Sequence, residues 1–439
     1  MQEDDHQLPE DVIKAYQNEP TMQTYPDSQN LDENHTQLPP IVPEGTANLP
    51  GPVYTGLSGN EMFCLDRIGY KPGNIVVGNS VVAIGIIGGE LAGIKSVLGG
   101  EIKQVTNMIA KGRIEALKDL EDEIAQNQGN GATGVTSELV FHPGNIEFLS
   151  IGSTIHRSDG KITPSITSSS DGQEFYCQAD SGYMPIKFVF GNVAYSIGIG
   201  KNILGEIKEM FRGEITQYSG IFNTTRNIAL QRIIDEAKAA GANSVVGIKT
   251  TVVPIGKNGV EEMVMVGTAS YNEQIASIAE ACGGVITSDL TAEETWNITK
   301  LGYAPMKLIL GTSVFSLGVV GNIKAALRGL VHGEVNSLTQ LLYQAREQSF
   351  KRVKEQADEI GADDVLGIKT YIYYLDNDLV EFLTIGTATK RVSGLTTRSD
   401  QILPQALIRD KSTFIDLTGK SLNTNLNTTG VGNLRSNNV

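Results

Sequence analysis

Apolar residues in this chain recur with two periods. Ile186-Lys187-Phe188-Val189-Phe190 and Met306-Lys307-Leu308-Ile309-Leu310 are short, β-branched and nearly continuous, the pattern of buried strands. Each runs on past a glycine, Gly191 or Gly311, at which a kink or bulge is expected. Further along, the spacing becomes helical. Phe222, Ala229, Ile233, Ala237 and Ala240 lie 7, 4, 4 and 3 residues apart, and Leu342, Val353, Ala357 and Ile360 lie 11, 4 and 3 apart. Gly241 and Gly361 end these helices. Strand pairs follow, 244–254 with 262–271 and 364–375 with 380–390, joined by Gly/Asn/Asp turn chemistry. Another helix, less well defined, is expected between the glycine-rich turn and the long helix.

The same order of elements is written three times. Gly69-Tyr70-Lys71-Pro72 returns as Gly182-Tyr183-Met184-Pro185 and Gly302-Tyr303-Ala304-Pro305. Downstream, in constant register, stand the columns Gly78/Gly191/Gly311, Gly85/Gly198/Gly318, Glu101/Glu214/Glu334 and Arg113/Arg226/Arg346. A fixed period of this kind marks a tandem triplication. Each copy opens with capping-box spacing, Ser58 to Glu61, Asp171 to Glu174 and Thr291 to Glu294, which starts a short helix. That helix should stop at Gly69, Gly182 and Gly302. The fold class is therefore α+β: three tandem copies of a small module with helices packed on one face of a mainly antiparallel sheet.

The copies occupy 57–157, 173–272 and 291–392, joined by linkers at 158–172 and 273–290. Residues 1–56 read as a disordered acidic arm and 393–439 as a flexible polar tail. The net charge of −15 is concentrated at the start, where residues 1–60 carry ten acids against one base, Lys14. A mildly acidic core speaks against phosphate-backbone binding, so nucleic acid is not an expected partner. Three cysteines in 439 residues do not make a disulfide framework. Met1-Gln2-Glu3-Asp4-Asp5 is no signal peptide, and the charged, glycine-broken apolar stretches are no membrane spans. A cytoplasmic location is expected, export without a cleavable signal being the alternative.

Two segments carry a resemblance. Ala345-Arg346-Glu347-Gln348-Ser349-Phe350, followed by Ala357 and by Gly361-Ala362-Asp363-Asp364-Val365-Leu366-Gly367-Ile368, resembles the YbjQ-like family. Thr225-Arg226, Ala229-Leu230, Ala237 and Gly241-Ala242-Asn243-Ser244-Val245-Val246-Gly247-Ile248 match it nearly as well. The first copy departs at Gln126 to Gly134, where its helix end is about three residues longer and the Gly-Ile-Lys strand is missing. The resemblance implies small α+β modules that assemble into rings, with a heavy-metal-binding label and no catalytic residues to carry over.

Candidate chemistry is sparse. Cys64 and Cys177 hold equivalent positions, Asn297 standing at the third, and they are the candidate metal ligands. Without a CxxC pair, the competing reading is that each packs as a small apolar side chain. His142, His156 and His332 fall in unrelated columns. The turns Gly85 to Gly89, Gly198 to Lys201 and Gly318 to Gly321 match neither nucleotide-loop pattern, although a helix start could hold an anion. The polar columns Glu101/Glu214/Glu334 and Arg113/Arg226/Arg346 recur with a base at Lys95, Lys208 and Arg328. They read as ion pairs within or between modules, or as a pocket in which arginine clamps a carboxylate or phosphate. No catalytic constellation repeats. The expectation is a non-enzymatic assembly or interaction protein without a cofactor, self-associating, with a protein partner for the acidic arm. The alternative is a metal- or small-anion-binding protein or sensor.

Overall fold

The computed structural model describes residues 52–83, 100–161, 163, 165–196, 213–255, 260–316, 336–376 and 379–399, and the backbone of 414–416. The expected arm falls outside it up to residue 51, and so do the glycine-rich turns, Lys95, Lys208, Arg328, Glu334 and the helix expected before the long helix of each copy.

Module 1 comprises α1 (Gly59–Arg67), β1 (Tyr70–Ala83), β2 (Gly100–Glu101), α2 (Lys103–Gln126), β3 (Gly131–His142) and β4 (Asn145–Arg157). After β5 (Ile166–Thr167), module 2 repeats the order as α3 (Gly172–Asp180), β6 (Met184–Ser196), β7 (Gly213–Glu214), α4 (Thr216–Ala239), β8 (Ser244–Pro254) and β9 (Val260–Tyr271). A 3-10 turn (Glu273–Ile275), α5 (Ala276–Ala281) and β10 (Ile286–Thr287) lead to module 3. It consists of α6 (Ala292–Lys300), β11 (Tyr303–Ser316), α7 (Asn336–Glu359), β12 (Asp364–Asp376) and β13 (Leu379–Arg391), followed by β14 (Phe414–Asp416).

The short helices start at the three expected capping boxes, in which each cap side chain and glutamate exchange hydrogen bonds. They stop before Gly69, Gly182 and Gly302, whose φ values of 79°, 87° and 77° suit glycine alone. The glycine expected to break each long strand does not do so. Gly78, Gly191 and Gly311 keep regular antiparallel pairing, opposite Ser150, Met265 and Thr384. The register shift sits instead beside Pro72, Pro185 and Pro305, which cannot donate to the ladder. The column glycines face the long helix of their own module, whose backbone at Ala116, Ala229 or Ser349 occupies the space a β-carbon would need.

The sheets run β1-β4-β3-β5, β10-β8-β9-β6-β2 and β14-β12-β13-β11-β7. Their order shows that the linkers are structural. β5 pairs in parallel with β3, and β10 with β8. Ser168, Ser169 and Ser170, within the first expected linker, are buried, and their backbone and hydroxyl groups are satisfied by Ala132, Gly134, Val135 and Thr268. The strand that seemed missing from the first copy is present as β3, where Gly134 (φ 66°) does the work of Gly247 and Gly367 (67° and 64°). Arm and tail are also partly docked. The Tyr54 and Gly56 amides donate to Asn74 and Ser153, the Arg398 amide donates to the Asp180 carbonyl, and β14 pairs with β12.

The long helices are sandwiched. Leu117, Leu120 and Ile124 of α2 share one apolar cluster with Val76, Ala132 and Val135 of their own sheet and with Phe188, Phe190 and Val264 of the next. α4 likewise lies between its own Val193 and Val245 and the next module's Leu308, Leu310 and Leu383. The stacking order is sheet, helix, sheet, helix, sheet, helix. Replacing Gly191 by Val should force α4 off β6 and cost roughly 1–3 kcal/mol. Urea unfolding measures this, and an unchanged midpoint would show that the helix does not need the close approach.

Candidate functional site at the joints between modules

Each joint begins with a donated strand. Gly100 and Glu101 leave module 1 and pair with Ser196 and Tyr195 on the edge of the second sheet. Gly213 and Glu214 pair in the same way with Ser316 and Phe315 of the third. Gly100 (φ 111°) and Gly213 (φ 129°) make the crossing. The first residue after each strand, Ile102 or Ile215, donates its amide to Ala194 or Val314 at 2.8 Å. One turn on, the hydroxyl of Thr106 or Ser219 accepts the Ala194 or Val314 amide at 2.9 Å. The incoming helix thereby completes the edge of the next sheet.

The arginine and glutamate columns both lie at these joints, but not paired with each other. Arg113 of α2 reaches into module 2 and donates to Glu262 of β9 at 2.9 Å, and Asn192 holds the other oxygen at 3.1 Å. Arg226 of α4 grips Glu381 of β13 through Nε at 2.8 Å and Nη2 at 2.6 Å. Both arginines are buried, at 1% and 0% exposure, and both acceptors at 0%. Tyr195, Phe222 and Tyr373 surround the Arg226 guanidinium at 5.5 to 5.6 Å. Burial pushes the Glu381 carboxyl up and Arg226 opposes it, while Glu381 holds the guanidinium charged above its ordinary range. The forked contact is that of an ionised pair.

The glutamates of the column have other partners. Glu101 accepts from Arg232 of the next module at 2.6 Å, and Glu214 from Arg352 at 2.6 Å. The same arginines donate to the carbonyls of Asn192 and Thr312 at 2.7 Å. Each internal joint is thus closed by two crossed ion pairs. Arg346 is exposed on α7 and has no ion pair among the described residues. Sequence reading missed the acceptors Glu262 and Glu381 and the arginines Arg232 and Arg352. The acceptors form no gapless column, because the hairpin turns differ in length. The second arginines were legible six residues after Arg226 and Arg346, but the first copy has Asp119 there.

Cys64 and Cys177 do come together, in an apolar cluster with Tyr176, Ala292 and Trp296 where the short helices pack. Burial, reinforced by Asp171 and Glu61, raises the Cys64 thiol to about 11. Burial first, then Glu293 and the neighbouring thiol, pushes Cys177 higher still. A soft metal needs thiolates and a fuller ligand set, and among the described residues no three His, Cys, Asp or Glu side chains converge. This pair does not fit a heavy-metal site. Nearby, a cleft of ≈ 330 Å³ between modules 1 and 2 is lined by Glu61, Asp171, Glu174 and Lys249 among others. Burial lifts Glu174 to about 7 against the pull of Lys249, with Asp171 adding to the rise.

The three copies can now be placed among known proteins. A family profile described as "Putative heavy-metal-binding", YbjQ, matches residues 70–141, 183–273 and 295–392, more than half of the chain. The chain belongs to the YbjQ family. It is 30% identical over 247 residues to an encapsulin nanocompartment protein of Mycobacterium tuberculosis, covering 55% of this chain and 92% of that one. A YbjQ module alone is the scale of two further relatives. A UPF0145 protein of Enterococcus faecalis is 31% identical over 100 residues, covering 23% of this chain and 92% of its own. Another, of Vibrio campbellii, is 40% identical over 81 residues, covering 18% and 77%. No solved structure is a match. Among the described residues, no helix is long and apolar enough to cross a membrane.

Two outcomes check this site. Arg226→Met should cost roughly 3–5 kcal/mol by stranding Glu381, and adding Glu381→Leu should recover most of it. Denaturant melts of the two variants decide, and equal losses would remove the ion pair from the account. In a Cys282→Ser background, alkylation of Cys64 and Cys177 at pH 8 should be roughly a hundredfold slower folded than in urea, because raised thiols hold little thiolate. Comparable rates would restore them as candidate ligands.

Proposed function

We propose that this YbjQ protein is a non-enzymatic assembly protein that associates with further chains through the surfaces that join its own modules. The observation that carries this reading is the joint itself: a donated strand, a buried arginine–glutamate pair and an apolar helix face, built twice in one chain. Each half of the joint belongs to a different module, so a module is also equipped to meet one on another chain. The mycobacterial relative's nanocompartment name is consistent with an assembly role. The acidic arm remains the part proposed to meet a different protein.

The alternative, a metal or small-anion sensor, has less behind it. The candidate thiols are protonated and packed, and Arg113 and Arg226 are already engaged by carboxylates. Native mass spectrometry of the untagged chain, with no metal added, tests both readings. Ions at multiples of the chain mass are expected. A single-chain mass with an adduct lost on chelation would overturn assembly in favour of binding.

A further inference from the structure

The stack has two unlike ends. At the joints, four positions of the long helix face the next module: Thr106, Ile109, Arg113 and Leu117 on α2, and Ser219, Phe222, Arg226 and Leu230 on α4. All eight are buried. The same positions on α7 are Thr339, Leu342, Arg346 and Phe350, and all but the half-buried Leu342 are exposed, Phe350 by 43%. At the other end no described element covers the receiving face. Phe188, Phe190 and Ala194 of module 2 and Leu308, Leu310 and Val314 of module 3 are buried beneath the preceding helix. Their counterparts in module 1, Ile75, Val77 and Val81, are exposed by 44%, 44% and 58%.

The charges follow the same logic. Opposite Ala194 and Val314 on the neighbouring strand stand Glu262 and Glu381, the acceptors of the buried arginines. Opposite Val81 stands Glu147. No arginine reaches Glu147 among the described residues. His142 lies 2.7 Å from it and, with a smaller contribution from Asn79, holds its carboxyl below the ordinary value. Among the described residues, one end therefore shows a sheet face with an acceptor carboxylate, and the other a helix face whose guanidinium has no ion-pair partner.

We propose that these ends are the two halves of one further joint, and that the occupant of each is a second copy of this chain: α7 of one copy lies across β1 and β4 of the next, with Arg346 on Glu147. The inference rests on the assembly reading above and names its partner and surface. A second copy is favoured over an unrelated protein because the apolar positions, the arginine, its acceptor and the helix hydroxyl recur in the register that closes both internal joints. The contact is heterologous, so it generates a ring if the rotation closes and an open filament if it does not. It is weaker than the internal joints in one respect. Where α4 and α7 carry Arg232 and Arg352 to receive a donated strand's carboxylate, α2 carries Asp119. Association should therefore be reversible and depend on concentration.

Sedimentation velocity of the full chain across a concentration series tests this by charge exchange. Arg346→Glu and Glu147→Arg, each exposed or partly exposed, should leave circular dichroism unchanged and weaken association at least roughly tenfold. The double variant Arg346→Glu/Glu147→Arg restores opposite charges across the contact and should regain most of the loss. An equimolar mixture of the single variants should also associate, since each supplies the half the other lacks. Should the wild type associate and the single variants do so equally well, this surface is wrong although assembly stands. Loss in both singles with no recovery in the double overturns the Arg346–Glu147 pairing. A wild type that stays a single chain at every concentration overturns both the surface and the assembly reading.

Discussion

Each sheet of this protein is apolar on both faces, and each module brings one long helix to cover them. A helix laid on its own sheet leaves the opposite face of that sheet in water. The stack resolves the shortage by giving every helix two sheets, its own on one side and the next module's on the other. Hydrophobic burial is non-directional and would tolerate sliding between these layers. The close seat of each helix backbone on Gly78, Gly191 or Gly311 removes one freedom. The strand donated to the neighbour's edge removes most of the rest.

The buried ion pairs belong to this second, directional part of the design. An isolated charge in such an interior is costly, and a well-made pair roughly offsets its own desolvation rather than adding large stability. What the pair enforces is position. Arg226 satisfies Glu381 only when α4 lies at one rotation and one height on the third sheet, and Arg113 repeats the constraint one module earlier. The half-buried pairs Arg232–Glu101 and Arg352–Glu214 tie the donated strand from the opposite direction. Together they make each joint directional, with a giving side and a receiving side, so that among the described residues the first sheet and the last helix each keep one half of a joint.

The thiols show how a family label and a particular chain can part. Cys64 and Cys177 are neighbours because the short helices pack side by side, as pseudo-equivalent positions in stacked copies must. Proximity alone does not make a ligand set. An apolar shell and nearby carboxylates push both thiols up, which works against the thiolates a soft cation takes.

Local chemistry was legible in the sequence. The capping boxes, the glycine stops, the long helices and the hairpins are set by backbone capping, positive φ and hydrophobic period, all of which act within a few residues and repeat three times. The column Gly78/Gly191/Gly311 was legible as a special position, but whether it bent a strand or admitted a helix depended on a neighbour about forty residues away. The linkers looked like loops because serine and threonine satisfy their own backbone in isolation, and only the adjacent strand turns them into edge pairs. Most of all, the columns Glu101/Glu214 and Arg113/Arg226 suggested partners to each other, twelve residues apart. Their real partners lie roughly 130 to 155 residues away, across a packing surface that does not exist until the modules fold. Sequence alone determined the module, its number and the residues under charge constraint. The tertiary structure decided which charges meet, because that depends on the order in which sheets and helices stack to hide their second faces.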